Sequence, residues 1–337
     1  MSSTIEMVKL DHIDELCPDD LWARSLEMDK VITAQIVASS QPGPSIASCP
    51  VCRGAKLELF TIKHGMRIDQ CDACGFRFTN PPPTTEQLRL FYNSQAKTIE
   101  NMIFEATRAV RLPIFERRVE LINRHIANGT LLDVGGAIGI FVDALVRAGA
   151  QFKVSVVDLN QDAVEKLRTR HPNVEVHHGD VLDHRGMYDV VTLWDTIEHL
   201  RDINKVASHL LSLLKPGGYL FISTPNIDGF EHWVGQDRHP QIEPLPHLNY
   251  FSSKTLQLLL DRHGFAVLDF LTPNGSFDIA YVNRILSDGD ANLGKLGEFL
   301  RAKLQAPEVA EDFAKLISKH RLAGNVVMIA QRPVWDA

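Results

Sequence analysis

From residue 130 onward the chain repeats one pattern, a short β-branched or aromatic run followed by a helix-periodic stretch. That alternation points to a parallel sheet covered on both faces by helices. The runs are TLLDV (130–134), FKVSVVD (152–158), VEVHH (174–178), YDVVTLW (188–194), GYLFIST (218–224), FAVLDFL (265–271) and NVVMIA (325–330), predicting seven strands. One helix opens after Gly139; another starts near Asp202, aligns Ile203, Val206, Leu210 and Leu213 on one face and stops at KPGG. Ser252 caps a third, with Leu256, Leu259 and Leu260 facing inward and Gly264 ending it. A helical segment interrupted at Pro307 precedes the last run.

Ligands of such sheets sit beyond the carboxyl ends of the strands, so the residues just after each run carry the functional expectation. The first run leads into DVGGAIGIF, where Gly135 and Gly139 permit close backbone approach at a helix N-terminus. Asp158 ends the second run, 23 residues after Gly135, about the separation at which an acid grips a ribose diol. HGD, ending in Asp180, follows the third run, and WDTIEHL extends the fourth. Taken singly, the glycine loop could be a tight turn and Asp158 a helix-capping acid; together they describe a nucleoside pocket. A dinucleotide needs GxGxxG for its pyrophosphate, and GGAIG lacks that spacing.

Four of the five cysteines form two pairs, Cys49/Cys52 in CPVC and Cys71/Cys74 in CDAC, with eighteen residues between the pairs. Two such knuckles supply the tetrahedral thiolate set that Zn²⁺ accepts. Gly54 and Gly75 are expected at positive φ in the knuckles, with strand-like LELFTI and a turn at His64-Gly65 between them. The rival readings are disulfides, rare in a chain without an export signal, and a redox dithiol, which leaves the second CxxC unexplained. Four thiolates close a zinc site, so the metal is structural and His64 is an ordinary turn residue. Cys17 stands alone.

LLDVGGAIGIF, VVDLN, HGD, YDVVTLWDTIEHL and LLKPGGYLFISTPN, in that order, resemble the class I S-adenosylmethionine-dependent methyltransferases over residues 130 to about 271. The resemblance implies an α/β Rossmann-like seven-stranded sheet and a cofactor held by Asp133, Gly135, Gly136 and Gly139. Asp158 with Leu159 would take the ribose hydroxyls, Asp180 with Val181 the adenine, and Trp194 and Asp195 would border the methionine part. The family's first motif is usually an acid, any residue, then GxGxG; here the middle glycine is Ala137.

The ribbon segment CPVC, CDACGF, FTNPPPT and FYN is similar to that of bacterial zinc-ribbon methyltransferases that modify sugars, polysaccharides or natural products. Sugar C-methyltransferases look related, with a histidine after the fourth strand and an acid-histidine pair ahead of YFS. The counterparts are His199 in EHL, and His247 with Glu243 ahead of NYFSSKTL. This chain lacks their long extra C-terminal domain, and EPLPH replaces a tighter pair. His247 is the favoured general base, its alternative being a loop histidine bound to backbone. His199 orients the loop, Glu198 beside it is simply solvated, and Tyr92 either covers the substrate or seals the ribbon.

The expected organisation is an acidic helical arm (1–47), the zinc ribbon (48–80), a helical cap (81–128) and the methyltransferase domain (129–337), with residues 225–250 and 272–325 shaping the acceptor site. The expected function is methyl transfer from S-adenosylmethionine to a sugar, sugar nucleotide, glycan or natural-product acceptor, by O- or C-methylation. RNA methylation is the alternative, because some ribosomal RNA methyltransferases also carry a zinc ribbon. The net charge of −7 speaks against it. Residues 53–124 are locally positive, with twelve basic against eight acidic side chains. Arg108, Arg111, Arg117, Arg118 and Arg124 there could meet a phosphate but read first as a solvated helix face. NPPP at 80–83 lies far from the fourth strand, where an amino-group methyltransferase motif belongs. No apolar run approaches the ~20 residues of a membrane span and no leader pattern opens the chain, so a cytoplasmic location is expected, with a homodimer admissible.

Overall fold

The computed structural model describes residues 19–273 and 294–334. Residues 1–18, which include Cys17 and the start of the acidic arm, and residues 274–293 of the expected acceptor-shaping segment lie outside the described residues.

All seven expected strands form one sheet. They are β4 (Asn128–Val134), β5 (Gln151–Asp158), β6 (Glu175–His178), β7 (Tyr188–Trp194), β8 (Leu214–Pro225), β10 (Ala266–Leu271) and β11 (Asn325–Gln331), in the order β10-β11-β8-β7-β4-β5-β6. Their apolar runs are long because both faces are covered: Val190, Val191, Leu193, Leu220, Phe221 and Ile222 are inaccessible to solvent. Each such side chain contributes roughly 1.5–3 kcal/mol relative to exposure. The helices are α5 (Ile140–Arg147), α6 (Gln161–Arg170), α7 (Ile203–Leu213) and α9 (Ser253–Arg262). Ser252 and Thr255 form a reciprocal cap on α9, and the Asn160 side chain caps α6 by accepting from the Ala163 amide at 2.7 Å.

Two expectations need correction. The sheet is not wholly parallel, because β11 runs antiparallel to both β8 and β10. The preceding helices, α10 (Gly294–Lys303) and α11 (Pro307–Lys319), return the chain to the edge it left, so Asn325 starts beside Pro225, at the carboxyl end of β8. The strand expected from Gly218 is also longer: α7 stops at Leu213, just ahead of KPGG as expected, and β8 already runs through Lys215–Gly218.

The cysteine segment folds as an antiparallel sheet of β1 (Leu57–Lys63), β2 (Met66–Cys71) and β3 (Arg77–Thr79). A short strand from the main domain, β9 (Asn249–Tyr250), adds to its edge beside β3. Cys49, Val51, Phe76 and Phe78 share one apolar core with Leu256 and Leu259 of α9. Gly75 has the expected φ of 78°, but in the first knuckle the positive φ of 64° falls on Arg53. Gly54 is needed for space instead, since a methyl there would stand 3.1 Å from Cys71 Sγ.

Ahead of the ribbon, α1 (Asp19–Ser39) packs on α2 (Thr85–Tyr92) and α3 (Gln95–Ala106), which follow it, and α4 (Arg108–Asn123) packs on α5. Two of the arginines of α4, Arg108 and Arg118, are drawn into partly buried ion pairs, while Arg117 stays on the solvated face and Arg111 lines a cavity. Arg108 pairs with Asp143 and Glu105, Arg117 with Glu120, and Arg118 reaches Asp195 across to the main sheet.

Candidate functional site

At the carboxyl ends of β4, β5 and β7 lies a cavity of about 530 Å³, walled further by residues of α1, α3 and the 239–247 loop. At one end the chain leaves β4 and turns tightly. Gly135 has φ 75°, and a methyl there would stand 2.5 Å from Thr196 Oγ1; one on Gly136 would stand 2.4 Å from Val156 Cγ1. Gly139, at φ 82°, starts α5. The loop can therefore press its backbone against a ligand only as glycine. Ala137 sits between them at φ 44° and donates its amide to Asp158 Oδ2 at 2.9 Å. Its methyl thus strains the backbone besides narrowing the loop. Ala137→Gly is expected to raise unfolding stability by about 1 kcal/mol, the order of the left-handed penalty, read as a shift in denaturant midpoint.

Asp158 is held from both sides, because its Oδ1 also accepts from the Asn160 amide at 2.7 Å. Burial raises its pKa, while these two amides favour the ionised form. Each oxygen keeps a lone pair for a diol. Leu159, Asp180 and Val181 line the same wall, and Asp180 Oδ1 accepts from the Leu182 amide at 2.9 Å. Beneath the loop Asp133 accepts from Thr192 Oγ1 at 2.7 Å through Oδ1; its buried Oδ2 has no partner, and burial pushes its pKa to about 7. Trp194 packs edge-to-face on Phe141 with its indole N–H unpartnered. Asp195 is committed to protein partners: Oδ2 to Arg118 at 2.7 Å and Oδ1 to Asn325 Nδ2 at 2.8 Å. A glycine cradle, a fixed acid and unpartnered polar atoms fit a nucleoside ligand with a charged tail.

The other end of the cavity brings His199 and His247 together, with ring centroids 4.7 Å apart. His247 Nδ1 donates to the Gln241 carbonyl at 2.7 Å, and His199 Nδ1 donates to that of Pro246. Both bonds fix the tautomer and leave each Nε2 with its lone pair. Burial lowers both pKa values, that of His199 well below the ordinary range. Glu198 is not solvated as its sequence context suggests; it is 2% exposed, accepts from Thr224 Oγ1 at 2.9 Å, and burial raises its pKa well above the carboxylate range. Its Oε1 lies 3.8 Å from His199 Nε2.

Glu243 does not pair with the His247 ring. Its carboxylate pairs with Lys63 Nζ at 2.8 Å, which ties the ribbon to the acceptor-side loop, and lies 2.9 Å from His64 Nε2 without hydrogen-bond alignment. Tyr92 lines the cavity, with burial pushing its hydroxyl up to about 12. Sequence reasoning missed Asp29, Lys97, Glu100 and Glu231, which also line it. Their helices carry no motif, and only tertiary packing brings them to the site. Burial works against a charged Lys97, but Glu100, with its ion pair at 2.5 Å, and Tyr92 keep it protonated.

In the ribbon, Cys49 Sγ lies 3.6 Å from Cys74 Sγ and Cys52 Sγ lies 3.4 Å from Cys71 Sγ; all four sulfurs are within 4.8 Å of one another. Four ligands at about 2.3 Å from one Zn²⁺ would stand about 3.8 Å apart, whereas a disulfide requires about 2.05 Å. The donor set fits a closed tetrahedral metal.

Residues 106–269 match the model of a methyltransferase domain family. A ubiquinone biosynthesis O-methyltransferase of Shewanella pealeana is 34% identical over 106 residues, 28% of this chain and 43% of that one. A Mycolicibacterium smegmatis protein named a probable S-adenosylmethionine-dependent methyltransferase is 29% identical over 162 residues, 46% of this chain and 60% of its own. The chain thus spans about half the length of the curated relatives it matches. Among solved structures, an O-methyltransferase family protein from Burkholderia thailandensis is 18% identical with a TM-score of 0.48, over 73% of this chain and 63% of that one.

Proposed function

We propose that this chain, whose residues 106–269 are a class I S-adenosylmethionine-dependent methyltransferase domain, methylates a small-molecule acceptor of the sugar, glycan or natural-product kind at oxygen or carbon. The observation that carries this reading is one cavity joining the glycine loop and Asp158 to the His199/His247 pair. The cofactor, when bound, supplies a methyl group activated on a sulfonium. Gly135, Gly136 and Gly139 hold it by backbone, Asp158 by its ribose, Asp180 and Val181 at the base, and Trp194 and Asp195 at the methionine end. What the protein must add is alignment of the acceptor and removal of its proton.

His247 suits that second task because its Nε2 is unprotonated and faces the cavity while Nδ1 is anchored. His199 beside it accepts a share of the proton. Zinc in the four-cysteine site is structural, since four thiolates leave no place for water. RNA as acceptor is disfavoured by the carboxylate-rich lining, in which Asp29, Glu100, Glu198 and Glu231 face only Lys97 and Arg111 as cations.

Asp158→Ala tests the cofactor half. It removes the bond that holds the glycine loop at Ala137 and the one from the Asn160 amide as well as the diol acceptor, so calorimetry should show at least about a tenfold loss of S-adenosylmethionine affinity, in line with charged hydrogen bonds. Wild-type affinity in that variant would refute the pocket assignment.

A further inference from the structure

On the acceptor side the cavity is lined by two buried side chains with unpartnered acceptor atoms. Glu231, in the first turn of the short helix α8 (Phe230–Gly235), is 1% exposed, and neither of its carboxylate oxygens has a hydrogen-bond partner. Asn325, at the start of β11, donates Nδ2 to Asp195, which turns its Oδ1 away; that oxygen is also buried and unpartnered. Both residues line the cavity.

Backbone packing brings them together. Gly229 meets Gly324 so closely that a methyl on Gly229 would stand 2.6 Å from Gly324 Cα. The Glu231 carboxylate lies directly over Gly324, where a methyl would be 2.8 Å from Oε2, and Asn325 is the next residue. Two glycines are therefore what lets this carboxylate reach the cavity at the carboxyl end of β8. The pair stands beyond Asp195, away from the glycine loop, on the side left for the acceptor.

We infer that Glu231 and Asn325 determine acceptor specificity by seating a primary ammonium group of the acceptor. Three unpartnered acceptor atoms, Glu231 Oε1 and Oε2 and Asn325 Oδ1, match the three N–H donors of an ammonium. A hydroxyl offers one donor and satisfies one atom. A phosphate or carboxylate offers none and would meet a like charge. That no cation among the described residues pairs with Glu231 agrees with a ligand supplying it, because a buried carboxylate without a partner is costly. Burial pushes its pKa to about 7, offset only in part by the nearby Glu231 and Gly324 amides, which is the behaviour of a carboxyl still short of its counter-charge. This assignment rests on the proposed methyltransferase reading, since it places the acceptor opposite the cofactor loop.

The test uses the full chain saturated with S-adenosylhomocysteine, titrated calorimetrically with benzylamine, benzyl alcohol and benzoate, probes of one shape and three charges. The wild type is expected to bind benzylamine at least about tenfold more tightly than benzyl alcohol, and benzoate most weakly, as a charged hydrogen-bond set requires. In Glu231→Gln, of nearly the same shape, that preference should vanish while S-adenosylhomocysteine affinity is retained. Gly324→Ala, whose methyl displaces the carboxylate, should give the same loss and serves if the first variant misfolds. No preference for the amine in the wild type, or a preference that survives both variants, would overturn the assignment. Failure of the wild type to bind S-adenosylhomocysteine would instead count against the methyltransferase reading.

Discussion

Replacing His247 with alanine is expected to lower kcat by about 10²–10⁴-fold, the range of general-base catalysis, and to leave the affinity for S-adenosylmethionine unchanged. The ring meets the acceptor end of the cavity, whereas the glycine loop and Asp158 stand at the other end. His199→Ala should cost less, because His199 shares the proton and does not take it first. The reverse ranking would exchange the two roles. The pH profile supplies a second reading. The base works unprotonated, and burial depresses its pKa below the ordinary imidazole value of about 6.5. Activity should therefore be level through neutrality and lost only as pH falls through that depressed value. An acid limb centred above 6.5, or full turnover in His247→Ala, would remove His247 as the base.

How much of this was legible in the sequence follows from the range of the interactions. The seven strands could be read because each is a local run of β-branched residues, and the caps at Ser252 and Gly264 because capping is local as well. The direction of β11 could not: it depends on where α10 and α11 bring the chain back, and no residue within the strand records it. The glycine loop, Asp158 and Asp180 lie at strand ends and so were found by spacing. Glu198 was misread because its context, an acid before a histidine in a loop, looks the same whether solvated or sealed under Thr224. Glu243 was paired with His247 on the resemblance to sugar C-methyltransferases, but its carboxylate turns to Lys63 and His64, residues about 180 positions earlier in the chain. Ala137 is a different lesson. Its departure from glycine was visible at once, but only the backbone shows that the position has a positive φ and that the methyl strains it.

Removing the zinc proposed for the four-cysteine site is the second perturbation expected to have a large effect, and its route to the candidate site runs through β9. Structural zinc in small thiolate sites contributes on the order of 10–16 kcal/mol of folding free energy, so chelation or Cys71→Ser should unravel the β1-β2-β3 sheet. That sheet holds the acceptor-side loop at several points. β3 pairs with β9, the Thr79 amide donates to the Leu248 carbonyl at 2.9 Å, and Thr79 Oγ1 donates to that of Pro244 at 2.9 Å. Lys63 holds Glu243 by an ion pair at 2.8 Å. His247 stands among these anchors, and a shift of about 1 Å in a catalytic group can cost about 10²-fold in rate. The metal-free protein should accordingly lose about 10²-fold in kcat, while cofactor affinity, which depends on β4 and β5 in the other sheet, changes far less. Metal content by mass spectrometry, turnover and calorimetric cofactor affinity, measured on one preparation, separate the outcomes. Full turnover without metal would mean that the 239–247 loop holds its shape unaided. Equal loss of cofactor affinity would mean that the ribbon supports the whole domain, because a positioning role predicts that the two quantities part.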